Sequence, residues 1–307
     1  MSNYKAGDII RLTRESMGMS QEELCENICS THTLSRIENG KHSVKRSTYE
    51  QLMERMGRNG KKSFAAITVD DFDVMNIMAA ADVALIKHEY EKLKEYVEIL
   101  KPQLKDNVIN CQYIRRKELI ADYKRGIISI NDYISGLEEL LSLTVTDYNS
   151  LLDKVYPFFE QEISILISIS NGYANLKDYK RRIIILDMLL RCINTGYMDT
   201  KNTIKLKIII LNNMAKGYGD LEEHQKAIDI AQKTIMLAKE NKLVNTLPNL
   251  YAELAWNMLQ QIERGEREKK EEKLCEMYLR QGRAIASLYR KNRIKYEIES
   301  IFEDYFK

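Results

Sequence analysis

The stretch THTLSRIENGK, residues 31–41, gathers polar side chains at the spacing of a helical turn. Thr31, His32 and Thr33 come first, Ser35 and Arg36 follow one turn later, and Leu34 and Ile37 are apolar at i and i+3. Hydroxyl, imidazole and guanidinium groups set on one rod can hydrogen-bond the edges of base pairs, and an arginine can hold guanine by two bonds at once. Gln21, ahead of the rod, is placed to touch a phosphate or to brace it. Asn39, Lys41, Lys45 and Arg46 follow the rod and can hold a nucleic-acid backbone.

Such a row works only if local structure fixes it. The spacing predicts a first helix over Tyr4–Ser16, with Ile9, Ile10, Leu12 and Met17 as its apolar side and Gly18 as its stop. Ser20 with Glu23 three residues later reads as a capping box. A second helix then runs from Gln21 to about Ile28, with Leu24, Cys25 and Ile28 inward. After a break at Cys29-Ser30, the third runs from Thr31 to Asn39 and stops at Gly40. Leu52, Met53 and Met56 mark a further short helix that closes the bundle. Two short helices joined by a tight turn bury little alone. Packed in a small bundle, they present the later one as a rod narrow enough for the DNA major groove.

SQEEL at 20–24 followed by LSRIENGK at 34–41 resembles the Xre/Cro type of helix-turn-helix DNA-binding domain, over roughly residues 5–58. The resemblance implies that Thr31, His32 and Arg36 read bases, and that Gln21, Asn39 and Lys41 contact phosphates. Two positions depart from the family pattern. Cys25 stands where alanine is usual, and Ser30 stands near a turn position that is often glycine.

The chain has 307 residues, more than one ordinary domain holds. It is 44% hydrophobic and 30% charged with only three prolines, so an all-α protein is expected. Net charge is +2 and names no partner, although residues 1–62 carry 11 Lys or Arg against 8 Asp or Glu. Cys25, Cys29, Cys111, Cys192 and Cys275 are irregularly spaced. They form neither a disulfide framework nor a zinc signature, and they fit a reducing cytoplasm. The opening MSNYKAGDII lacks the apolar region of a signal peptide, and the runs ISILISIS and IKLKIIIL are too short to span a bilayer. The expected organisation is a helix-turn-helix domain over 1–62, a linker over 63–72 and a helical repeat domain over 73–307.

The rear part repeats itself. NGYANLKDYKRRIIILDMLL at 171–190 and KGYGDLEEHQKAIDIAQKTI at 216–235 share Gly-Tyr, Leu and Ile at matched places. Weaker copies occupy 82–100, 116–143 and 247–292, so about five helical pairs are expected, each burying its faces by stacking on its neighbours. The pattern resembles the tetratricopeptide repeat, which implies a right-handed α-solenoid. The concave face of such an array can grip an extended peptide. Asparagine amides can satisfy a free N–H and C=O at once. Asn171, Asn212, Asn213, Asn249 and Asn257 lie on first-helix segments, and Tyr173, Tyr218 and Tyr251 add flat walls. Asn213, between Leu211 and Met214, is the strongest of these candidates; the competing reading is that these residues cap helices or face solvent.

Across its whole length the architecture resembles the Rgg/PlcR (RRNPP) regulators. That resemblance implies a short re-imported signalling peptide, a homodimer, a double-stranded operator and quorum sensing in the cytoplasm. Met75, Ile77 and Met78 are then expected to dock the head on the array. Two readings compete: a ligand-independent Xre-type repressor, and a scaffold whose repeats bind a protein. There is no Gly-rich phosphate loop, no H-E-x-x-H and no nucleophile elbow. The histidines His32, His42, His88 and His224 are scattered, so neither an enzyme, a metal nor a cofactor is expected.

Overall fold

The computed structural model describes residues 6–42, 44–56, 72–103, 108–194 and 200–306. Among these there is no strand, and the chain divides into two compact units. One comprises residues 1–176 with 191–199, the other 177–190 with 200–307. The 63–72 linker lies outside the described residues except for Phe72, which already belongs to a helix.

The first unit opens with four short helices: α1 (Ala6–Ser16), α2 (Gln21–Cys25), α3 (Thr31–Glu38) and α4 (Arg46–Arg55). Ile10, Leu24, Cys25, Leu34, Ile37, Leu52, Met53 and Met56 form their common core. Cys25 fills its alanine-like place as a small buried apolar group. At Gly7 a Cβ would lie 1.8 Å from the Ile37 carbonyl oxygen, so α1 crosses the end of α3 backbone against backbone. Two expectations change here. Helix α2 ends at Cys25, because Asn27 turns into the left-handed region at φ 57°. Met17 is largely exposed, and the buried Thr13 takes its place, its hydroxyl donating to the Ile9 carbonyl at 2.7 Å.

The unit continues with α5 (Phe72–Ile86), α6 (Tyr90–Leu100), α7 (Val108–Lys124), α8 (Ile130–Ser142) and α9 (Glu160–Asn175), and includes the end of α10 (Tyr179–Ile193). Met78 lies in the core shared by α5, α6 and α7, with Ile77 packed against it. These two residues therefore hold the array together rather than dock the head; the Met75 side chain lies outside the described residues. The apolar contact to the head core comes instead from Phe159, just ahead of α9.

The second unit holds most of α10, then α11 (Thr200–Asp220), α12 (His224–Glu240), α13 (Leu247–Glu263), α14 (Glu272–Leu288) and α15 (Asn292–Tyr305). Its core runs from Ile208 on α11 to Ile298 on α15.

The repeat read from the sequence has a physical counterpart in each unit. Gly172 on α9 lies against Ile134 and Tyr133 of α8, where a Cβ would come within 2.6 Å of Ile134. Gly217 on α11 lies in the same way against Ile183 of α10, at 2.8 Å. The turns repeat as well. His88, Gly126, Glu222 and Gly265, each following a first helix, take φ between 60° and 73°. The next amide then donates back five residues: Glu89 to Ala84, Ile127 to Asp122, Glu223 to Tyr218 and Glu266 to Gln261, all at 2.9 Å.

Candidate nucleic-acid interface and ligand-binding helices

Helix α3 is anchored at its start. Ser30 is its N-cap, accepting from the Thr33 amide at 3.1 Å, and Thr33 Oγ1 lies 2.8 Å from Ser30 Oγ. Thr31 Oγ1 lies 3.4 Å from Cys25 Sγ. Of the residues expected to read bases, Thr31 and Thr33 are thus tied into the turn. His32 and Arg36, i and i+4 on the exposed side, carry no side-chain bond among the described residues. Ser35 lies beside them, 3.4 Å from Asn39 Nδ2.

The residues expected on phosphates also divide. Lys41 and Lys45 are exposed, and the Arg46 side chain lies outside the described residues. Asn39 turns inward to its own helix, its amide donating to the Ser35 carbonyl at 2.8 Å. Gln21 braces the rod: its Nε2 donates to Glu38 Oε2 at 2.7 Å.

That bond belongs to a network that sequence reasoning missed. Glu38 is 1% exposed at the end of α3 and accepts both Arg14 Nε at 2.7 Å and Arg14 Nη2 at 2.8 Å. Arg14 Nη1 donates to the Met19 carbonyl at 3.0 Å. The Glu38 carboxylate, as hydrogen-bond partner, raises the Arg14 guanidinium above its ordinary value. One fork-shaped pair therefore ties α1 to α3, and Gln21 adds α2. Arg14 is the usable signal in hindsight, since it falls on α1 next to the buried Ile10 and Thr13 stripe.

The candidate peptide residues fall in both units. In the first, Asn171 is half-buried on α9, and Tyr173 donates to Glu138 Oε1 at 3.4 Å. In the second, Asn212 and Asn213 are half-buried on α11 and Asn249 on α13. The Asn212 side-chain oxygen is buried without a partner. Tyr218 is half-buried under the Lys226 ammonium. Two candidates are structural. Tyr251 is 3% exposed and stacks on Tyr278 at 5.6 Å, because α13 and α14 meet there. Asn257 is fully buried; it lies 2.9 Å from His224 Nδ1 and donates to the Glu253 carbonyl, locking α12 to α13.

A model of a helix-turn-helix domain matches residues 6–61. Comparison with curated proteins gives no match. Solved structures do match across nearly the whole chain. Bacillus thuringiensis PlcR in complex with the peptide PapR7 and DNA superposes with a TM-score of 0.63 at 16% identity, covering 96% of this chain and 98% of that one. The same protein in its apo form gives 0.58 at 15% identity, over 94% and 98%. ComR from Streptococcus vestibularis in complex with its cognate signaling peptide XIP gives 0.52 at 15% identity, over 97% of each chain. The chain therefore has their fold: a helix-turn-helix head followed by helical repeats. No described helix is long and apolar enough to cross a membrane.

Proposed function

We propose that this chain is a DNA-binding transcription regulator, and that its repeat helices sense a short intracellular peptide. The observation that carries the first half is the α3 face. His32, Ser35 and Arg36 are presented outward on a helix whose inner side is braced by a buried arginine–glutamate fork. A rod held in that way pays little ordering entropy on entering a groove. Arg36 takes the guanine-reading role, His32 and Ser35 flank it, and Lys41 and Lys45 neutralise phosphates.

The second half rests on the fold shared with PlcR and ComR, both of which have been solved with peptides. In the second unit, half-buried Asn212 and Asn213 on α11 are suited to a peptide backbone, and the unpartnered Asn212 oxygen is an acceptor awaiting a donor. One recognition helix covers few base pairs, so the regulator acts as a homodimer on two half-sites. Peptide favours whichever arrangement of the repeats binds it better, and thereby shifts the population of DNA-competent dimers.

The test is the melting temperature of the purified protein with synthetic peptides encoded by small open reading frames beside its gene. A peptide that raises it, and loses the effect in Asn213→Ala, supports peptide sensing. No shift with any such peptide, together with intact operator binding, turns the reading to a ligand-independent repressor. A stable complex with a protein and no operator affinity turns it to a scaffold.

A further inference from the structure

The residue that joins the head to the array breaks a rule of helix formation. Phe159 is the N-cap of α9, a place that Ser, Thr, Asp and Asn favour because their side-chain oxygen accepts a free amide. A phenyl ring offers no such oxygen, and α9 starts without a hydrogen bond to its N-cap side chain. Half of the cap is kept from the other side: the buried Glu162 carboxylate accepts from the Phe159 amide at 2.8 Å. The ring itself packs on the head. It is half-buried against the core that holds Ile10, Leu24, Leu34 and Ile37. Among the described residues it is the one apolar side chain beyond α4 that does so. A position that departs from local preference points to a role elsewhere in the fold.

The ring stands on a stiff support. Residues 152–159 precede α9 without helical backbone of their own. Arg191, near the end of α10, donates to the Leu152 carbonyl. The buried Cys192 sulfur accepts from the Tyr156 amide at 3.3 Å and donates to the Lys154 carbonyl at 3.8 Å. Pro157 is buried and fixes its own φ, and the buried Tyr156 and Phe158 rings lie 4.7 Å apart. Backbone groups that a loop would give to water are thus satisfied inside the array. A support pinned in this way moves with the array. With the ring docked, His32 and Arg36 stay exposed, so the contact leaves the outward side of α3 open. It therefore aims that side rather than blocking it.

We propose that Phe159 is a positioning residue for DNA recognition: its ring docks the head on the array and so sets which half-site spacing the homodimer accepts. This deepens the DNA-binding reading and rests on it and on the homodimer. A head without the ring still reads its half-site, but it no longer holds one orientation, and the pair of heads loses its fixed separation.

Full-length protein is compared with Phe159→Ser and Phe159→Leu in two measurements. The first is NMR relaxation of the head amides, which needs no DNA. In the wild type the heads tumble with the array, and in Phe159→Ser they tumble several-fold faster. Serine supplies the cap oxygen that α9 lacks, so the melting temperature does not fall. A ring that served only to start α9 would give the reverse: a lower melting temperature and unchanged head motion. The second measurement uses duplexes built on a half-site selected from random DNA with the wild-type protein. One carries two copies at the selected spacing, one carries ten more base pairs between them, and one carries a single copy. The wild type prefers the selected spacing to the insertion by about tenfold; Phe159→Ser lowers that preference to about twofold and leaves single-copy affinity within about twofold. Phe159→Leu, which keeps an apolar side chain, lies between. If Phe159→Ser does not fold, Phe159→Leu carries the comparison. Unchanged head motion, or an unchanged spacing preference, in the variants that fold overturns the positioning role and leaves DNA binding standing. A wild type that enriches no duplex, or holds all three alike, overturns the reading on which the role rests.

Discussion

Two arginines in the head look alike in the sequence and do opposite work. Arg36 is exposed on α3, with no side-chain bond among the described residues, while Arg14 is folded onto the buried Glu38 carboxylate. Replacing each arrangement should separate affinity from stability. Arg36→Ala removes the proposed base contact and no side-chain bond among the described residues. Operator affinity falls by about 1–3 kcal/mol, read by fluorescence anisotropy on the cognate site, while the melting temperature stays within about a degree. Glu38→Gln strands the Arg14 charge in the core. Breaking a buried pair from one side costs about 3–5 kcal/mol, so the head unfolds first in a denaturant titration, and DNA binding is lost through α3 rather than through a contact. That α3 presents an outward polar side with His32 and Arg36 was legible from residue types and spacing. The division of Thr31, Thr33, Gln21 and Asn39 into turn, cap and brace was not, because each is polar and only burial says where a polar group finds its partner.

At the scale of elements, the helices were legible where apolar residues recur at helical spacing, and their ends were less so. The sequence marks stops at Gly18 and Gly40, and both take positive φ. It gives no comparable signal at Asn27, His88 or Glu222, which hold the same left-handed backbone without being glycine. At His88 and Glu222 a strain of roughly 1–2 kcal/mol is tolerated because the six-to-one amide bond and the packing of the pair fix the turn. Burial of charge along a helix is hidden in the same way. Glu253 on α13 lies among Lys216, Asp220, Arg182 and Glu297, and burial lifts its carboxyl to about 7. The ordinary value is 4.5, so between 4.5 and 7 the folded state binds the proton that the unfolded state has released. Its contribution is full below 4.5 and is lost as pH rises through 7. Trp256 is the single tryptophan and sits one turn along, so its fluorescence reports this unit. Stability from urea melts should decline across that window in the wild type. In Glu253→Gln that part of the decline disappears, and above pH 7 the variant is the more stable of the two.

For the whole molecule, the resemblance drawn from 60 residues of head and a degenerate repeat behind it holds as a fold over nearly the full chain. The fold was legible because repeats restate their packing rule. Gly172 and Gly217 are 45 positions apart and make the same close approach to the preceding helix. The ligand residues were less legible, because an asparagine that satisfies a peptide and one that locks α12 to α13 are written the same way. A dimeric regulator has a consequence that none of its single residues has. In the proposed homodimer each head reads one half-site and the two heads are held by one assembly, so the distance and the rotation between half-sites are both fixed. Inserting five base pairs between them turns one half-site by about half a turn to the far side of the duplex, and inserting ten restores the face at about one turn's greater distance. Electrophoretic mobility shifts on the three operators should therefore show strong binding for the native spacing and near-nonspecific binding for the five-base-pair insertion. Partial recovery is expected at ten, in proportion to the reach of the segment joining head and repeats. Addition of an activating peptide should change the ranking of native and ten-base-pair operators if it acts by selecting one arrangement of the repeats. A chain that bound all three alike, with or without peptide, would be reading one half-site as a monomer, and the homodimer would have to be given up.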